Sequence, residues 1–292
     1  MQGKQMLEYQ VGKDDAGLSM KSFLLKNGLS RHFLISLRDR DKVTVDGQVQ
    51  MFWIPLLEGQ KVILDPYSDE PSAVVPVEMV LEILYEDGDY IALNKPYDVA
   101  THPVKSFKLN TLANGALHHL NKQGILSIHP VSRLDKTTSG VIVFAKHPLA
   151  QHAFAESRNS KEYRALVEGR VAKDSELIDL PIAKVEAPSI RRIVTERGKE
   201  ARTEYHVLRS NEKYSLLRIL LHTGRTHQIR VHLSHIGHPL VGDFLYGEEN
   251  APRLFLHSTS ICFTHYRLKR ELCIEAPLPA IFDDYLGEAL ER

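Results

Sequence analysis

Three prolines fall within residues 66–76, PYSDEPSAVVP, among several polar residues. Proline has no backbone N–H and its ring clashes with the preceding helical turn, so neither a helix nor a central strand can run through such a segment. The chain is therefore expected to fold as two parts, residues 1–66 and 80–292, joined by an extended linker over 67–79. Its 292 residues, 43% hydrophobic and 25% charged, are enough to give each part its own core.

In the first part, Leu18, Phe23, Leu24, Leu25, Leu29, Phe33, Leu34 and Leu37 recur at a helical period broken at Asn27-Gly28. This predicts two short helices, the second capped by the Ser30 hydroxyl. KVTVDGQVQ then reads as a hairpin on Asp46-Gly47, and GQKVILDP as a strand closed by proline. The result is a small helix-helix-hairpin module.

In the second part, EILYEDGDYIALNKP reads as a hairpin on Asp87-Gly88, and VIVFAK, EYRALVEG, RTEYHVLR, YSLLRILLH and LFLHSTSICF read as further strands. Helical text lies at 148–158 and 226–236, the latter ended by Gly237. Strands without regular βα alternation predict an α+β domain, a mixed, largely antiparallel β-sheet flanked by helices and loops.

Formal net charge is +0 with a pI near 7.3, so any polyanion site must be a local patch. The densest basic run is Arg191, Arg192, Arg197, Lys199 and Arg202, interrupted by Glu196 and Glu200. Cys262 and Cys273 lack metal-ligand spacing, which together with the absence of an apolar leader or bilayer-length run points to a soluble protein of a reducing, cytoplasmic compartment. His222, His227, His232, His235 and His238 do not form HExxH and have no accompanying cysteine or carboxylate set, so no metal is expected.

Between Pro130 and the strand VIVFAK lies SRLDKTTSG, residues 132–140. A polar, glycine-closed loop leading into a buried strand presents side chains at a sheet rim. Spacing alone leaves open whether Asp135 caps a turn or does chemistry. In THQIRVHLSHIG, Ile229, Leu233 and Ile236 make one helix stripe, while His227 and Arg230 share another face.

These segments resemble those of RluA-like pseudouridine synthases. RLDKTTSG is similar to that family's HRLDxxTSG, with Ser132 where the family has histidine; NKPYDVATHP is similar to its lysine-proline loop; KEYRALVEG places Tyr163 at its active-site tyrosine; and GRTHQIRVH matches its third motif closely. GKEARTEYHVL, LFLHSTSICFTH and EAPLP continue the likeness. Separately, MKSFL, GLSR, VTVDG and LLEGQKVIL resemble the small RNA-binding domain named after ribosomal small-subunit protein four, although Asp46, Asp39 and Asp41 depart from its turn and its basic face.

The resemblance implies a cofactor-free RNA pseudouridine synthase. Asp135 is the implied catalytic carboxylate, adding covalently to base or sugar or assisting loss of the sugar carbon-2 proton; the routes stay open. Arg230 is implied as its ion-pair partner, with Arg225 as the alternative. Tyr163 is implied to stack on uracil and handle a proton. Arg133 is implied to fill the gap left by the extruded base, and Lys95, Arg225, His227 and Thr138 to bind substrate. Large-subunit ribosomal RNA is the first expected partner, then transfer RNA. The protein is expected to act as a monomer, and the competing reading is a non-catalytic RNA-binding relative.

Overall fold

The computed structural model describes residues 3–37, 41–104, 108–186, 188–249 and 251–286. In the N-terminal part, β1 (Leu7–Gln10) precedes α1 (Met20–Lys26), α2 (Arg31–Leu37), β2 (Val43–Val45), β3 (Gln48–Val49) and β4 (Lys61–Leu64). Ser19 caps α1 through Ser22 N–H, and Ser30 accepts from Phe33 N–H at 3.2 Å at the start of α2. The β2–β3 turn takes the expected residues for a mechanical reason: Asp46 and Gly47 both have positive φ, 50° and 82°, as a two-residue turn matched to strand twist requires.

In this N-terminal part β1 is the element that local pattern does not reveal. β1 pairs antiparallel with β4, giving a four-stranded sheet of order β1-β4-β2-β3 that covers the two helices with Val43, Val45, Val62 and Leu64. At four residues with a single buried position, β1 carries too little alternation to be recognised alone. Asp39 lies outside the described residues.

Residues 66–82 form no helix or strand, as their prolines dictate, yet they are firmly held. Tyr67 is buried and donates to the Gly88 carbonyl at 2.6 Å, Ser72 N–H bonds the Leu126 carbonyl, and Val77 N–H bonds the Asn114 carbonyl. Arg267 further ties the N-terminal segment down, donating to Asp89 at 2.5 and 2.7 Å and to the Met6 carbonyl at 2.9 Å.

The second part runs β5 (Ile83–Glu86), β6 (Tyr90–Lys95), α3 (Leu112–Asn121), β7 (His129–Pro130), β8 (Ser139–Ala145), α4 (Pro148–Glu156) and β9 (Asn159–Glu168). It continues through β10 (Ser175–Asp179), β11 (Ile182–Lys184), β12 (Arg192–Val194), β13 (Arg202–Ser210), β14 (Tyr214–Leu221), α5 (Gln228–His235), β15 (Leu256–His265), β16 (Arg270–Glu275) and α6 (Ile281–Leu286). The main sheet has the order β10-β13-β14-β9-β15-β8-β6-β5, with β16 added to β15 and β7 to β8. Its described pairings are antiparallel except β15 with β8, so the sheet is mixed and largely antiparallel, as expected.

All seven residues of β8 are buried because both of its faces are covered. Ile142 and Phe144 pack with Leu112, Leu117 and Leu120 of α3, while Val141 and Val143 join Phe154 of α4 and Phe263 and Ile274 on the other side. Each such side chain withdrawn from water contributes roughly 1.5–3 kcal/mol. This core fixes the start of β8, and with it the SRLDKTTSG loop.

Cys262 and Cys273 occupy facing positions of β15 and β16, their Cα atoms 4.1 Å apart, and are disulfide-bonded. The hairpin that brings them together was invisible in their spacing. Among the described residues no helix is long and apolar enough to cross a membrane.

Candidate active site

Gly140 sets the position of the Asp135 loop. Its φ is +108°, and a Cβ there would lie 2.1 Å from the Ser258 carbonyl oxygen, so only glycine lets β8 approach β15 this closely. The two strands meet through His257 opposite Ser139 and Ser258 opposite Gly140. Ser258 in turn stands opposite Tyr163 of β9 and hydrogen-bonds the tyrosine side chain. The loop carrying Asp135 is thus brought alongside the strand carrying Tyr163.

A cleft of about 500 Å³, within the common size range of ligand sites, opens at this junction. Asp135 reaches it with its side chain about one-third exposed at 32%. Its Oδ2 lies 3.7 Å from Arg230 Nη1, close enough for Coulomb attraction to the guanidinium, and 3.8 Å from His227 Nε2; both distances are longer than a hydrogen bond. Thr138 N–H donates to the Asp135 backbone carbonyl at 3.1 Å, so the residue also closes a turn. Both readings of Asp135 describe the same residue: its backbone shapes the turn and its carboxylate faces the cleft.

Arg230 emerges buried from α5 and is held by a residue the sequence reading passed over. Asp243, fully buried, accepts from its Nε at 2.8 Å and Nη2 at 2.6 Å. This leaves Nη1 pointing toward Asp135. The guanidinium also lies over the rings of Tyr246 and Phe244, at 5.2 and 5.7 Å. Burial by itself would lower the arginine's pKa, but the Asp243 bonds and charge outweigh it and leave the pKa raised. Asp243 lies in GDFLYG, the end of the third matched segment, where an aspartate between a glycine and aromatic residues was the available signal.

His227 starts α5 in the left-handed region, φ 59°, and its Nδ1 is 2.9 Å from the Tyr246 hydroxyl. Burial lowers its pKa, with Arg230 and Arg192 adding to the effect against the pull of Asp135, so the ring is neutral near pH 7. Tyr163 is buried, lines the cleft and is held protonated, since burial first and the Asp135 charge second both raise its pKa. Lys161, two positions earlier on the same face of β9, also lines the cleft, with a pKa lowered by burial; its period-2 relation to Tyr163 was the missed signal.

Of the expected substrate-binding residues, Arg133, Thr138, Arg225 and His227 line the cleft. Arg133 is exposed at its mouth, Thr138 is buried in its wall, and Arg225 is exposed with Nε on the Glu200 carbonyl at 2.9 Å. Lys95 is not at a phosphate position. It is completely buried and its Nζ donates to the carbonyls of Pro96, Val99 and Lys136 at 3.0, 2.7 and 2.8 Å, tying the lysine-proline loop to the residue that follows Asp135. Burial pulls its pKa down to about 7, against the opposing effect of Asp135. The correction has a simple cause: a lysine ending a strand reads as solvated, but this strand lies in the sheet interior and the ammonium's donors find three carbonyls there.

Ser132, standing in place of the family histidine, accepts a long 3.5 Å contact from Val143 N–H. Of the histidines set aside as metal ligands, His222 pairs with Glu204, His232 bonds Thr203 and the Leu180 carbonyl, and His238 bonds the Glu168 carbonyl. Asp87, Asp89 and His265 cluster closely, but Arg267, His147, Tyr266 and Tyr85 already saturate their carboxylates.

Residues 89–235 match the sequence profile of the RNA pseudouridylate synthase family. The chain belongs to that family. An RNA pseudouridine synthase of Aquifex aeolicus is 38% identical over 258 residues, covering 85% of this synthase and 82% of its relative. Ribosomal large subunit pseudouridine synthase D of Yersinia pestis is 36% identical over 217 residues, 72% of this synthase and 66% of that protein. The solved structure of human RNA pseudouridylate synthase domain containing 1 shares the fold, with TM-score 0.60 at 24% identity over 77% of this chain and 92% of that one. The synthase is thus an isomerase that converts uridine to pseudouridine in RNA.

Proposed function

We propose that this synthase is an RluA-like enzyme whose catalytic carboxylate is Asp135 and whose first substrate is large-subunit ribosomal RNA. The observation that carries the assignment is Asp135 itself, part-exposed in the cleft with Arg230 and His227 within 4 Å and Tyr163 in the same wall. A carboxylate in that setting can add to the base or the sugar, or assist departure of the sugar carbon-2 proton, without a metal or redox partner. Arg230 compensates the carboxylate charge as the incoming base displaces water. Tyr163 offers its ring to the uracil and, held protonated, a hydroxyl that can donate a proton.

Arg133, exposed at the mouth, is suited to fill the stack vacated by the extruded uridine. Arg225, His227 and Thr138 are assigned to substrate contact. Residues 1–66 are read as an RNA-anchoring domain of the ribosomal-protein-four type, 67–79 as the linker and 80–292 as the catalytic domain, acting as a monomer in the cytoplasm. Ribosomal RNA is preferred to transfer RNA because a relative carries large-subunit specificity in its name and because of the N-terminal likeness.

Asp135→Asn tests the carboxylate: the protein is expected to fold and bind RNA yet release no tritium from uracil ring carbon 5, and undiminished release removes the assignment. A pseudouridine map of total RNA from cells with and without the synthase identifies the target. A lost site in transfer RNA alone overturns the ribosomal reading.

A further inference from the structure

Beside the cleft lies a second groove of about 450 Å³, lined by Lys184, Arg192, Arg197, Lys199 and Arg225. Among the described residues none of these five cations forms an ion pair with a carboxylate, in a chain of zero formal charge whose buried Lys42, Lys146 and Arg230 and half-buried Arg267 are all paired. The neighbouring carboxylate of Glu200 is turned to Arg202, 3.0 Å away. A concentration of uncompensated positive charge in a concave site attracts a polyanion.

Backbone contacts hold the groove open in this shape. Lys184 and Arg192 are cross-strand partners in the β11–β12 hairpin. Ile182 and Lys199 exchange two 2.9 Å backbone bonds, and a Cβ on Gly198 would lie 2.6 Å from Ile182 backbone atoms, so the Arg197–Lys199 turn sits directly against the hairpin. Arg225 fixes the remaining wall through its Nε bond to the Glu200 carbonyl. Gly224, Arg225 and Thr226 line both this groove and the cleft, so the two cavities share a wall.

We infer that this groove binds backbone phosphates of the RNA strand next to the target uridine, with Arg225 spanning the boundary between reacting nucleotide and neighbours. The inference rests on RNA being the substrate. Phosphodiesters fit the groove because it offers charge and five separate donor groups, and because the chain entering the adjoining cleft carries its phosphates past the shared wall.

The test replaces three exposed cations that line the groove but not the cleft, in the variant Lys184→Gln/Arg197→Gln/Lys199→Gln, with RNA affinity measured from 0.1 to 1 M salt. Each phosphate contact contributes about 0.7 to 0.9 to the slope of log K against log salt, so the slope is expected to fall by about 2 to 3. Affinity is expected to drop about 100-fold at 0.1 M salt and to converge on the wild type near 1 M. Single-turnover rates at saturating RNA should match the wild type, and the melting temperature verifies folding. Unchanged affinity and slope overturn the groove, as does a lowered saturating rate with intact binding. Loss of RNA binding by the wild type would instead overturn the RNA reading and the groove with it.

Discussion

Replacing Arg230 tests a coupling between stability and chemistry that the Asp243 fork creates. Arg230→Met fills similar volume but leaves Asp243, at 0% side-chain exposure, a buried charge without its partner. Stranding one member of a buried ion pair costs about 3–5 kcal/mol, which for a chain of this size lowers the melting temperature by about 10 °C. A second replacement, Asp243→Asn, removes the orphaned charge. Asparagine keeps an oxygen for the N–H groups of Leu245 and Tyr246, which Asp243 Oδ1 accepts at 3.0 and 3.2 Å. The double variant is therefore expected to recover most of the lost stability. It should not recover activity, because the cation 3.7 Å from Asp135 is still missing, and a preorganised charge of this kind is worth about 100-fold or more in rate. Urea unfolding gives the stability arm, and single-turnover tritium release at saturating RNA gives the chemical arm. Two results refute the reasoning: wild-type stability in Arg230→Met, or restored isomerisation in the double variant, which would reduce Arg230 to a structural partner of Asp243.

Gly140→Ala is expected to lower activity at least tenfold, because its Cβ would collide with the Ser258 carbonyl and push the Asp135 loop off β15; a wild-type rate in the same tritium assay contradicts this. Lys95→Met should destabilise by about 3 kcal/mol, since three buried carbonyls lose their donor, and should not alter the salt dependence of RNA binding, which a phosphate contact would. Acid should weaken the fold over a defined window. His129 and His257 are lowered by burial to about 4, so between pH 6.5 and 4 the unfolded chain binds more protons than the folded one, and urea midpoints should fall as pH falls through that range.

Local signals placed most elements of the fold. Helix caps at Ser30, the turn at Asp46-Gly47 and apolar runs such as VIVFAK depend on near neighbours in the chain, and each formed where the residues predict. Elements stabilised by distant partners stayed hidden: β1 exists through β4, and α3 through its packing on β6 and β8. The cleft shows the same division. Asp135, Tyr163 and Arg230 were legible because they lie in motifs, whereas the pairing of Asp243 with Arg230 showed only once the fold had turned one onto the other. Lys95 was misplaced because exposure is a property of the assembled sheet, and a lysine beside proline reads as solvated until the sheet closes over it.

The contact between β8 and β15 is only two residue pairs long, and its Ser139–His257 hydrogen bond joins positions 118 apart in sequence. On one side of this seam lies the half-sheet that presents Asp135; on the other lie the strands and helix that present Tyr163 and Arg230. Neither half holds all of the proposed reaction centre. Each can acquire its local strands early, but closing a loop this long is entropically costly and comes only when both halves are largely formed. On the proposed assignment, catalytic competence is a property of the docked halves: during refolding it should return with the final long-range closure rather than with secondary structure, and a chain damaged on either side of the seam should be silent instead of partly active.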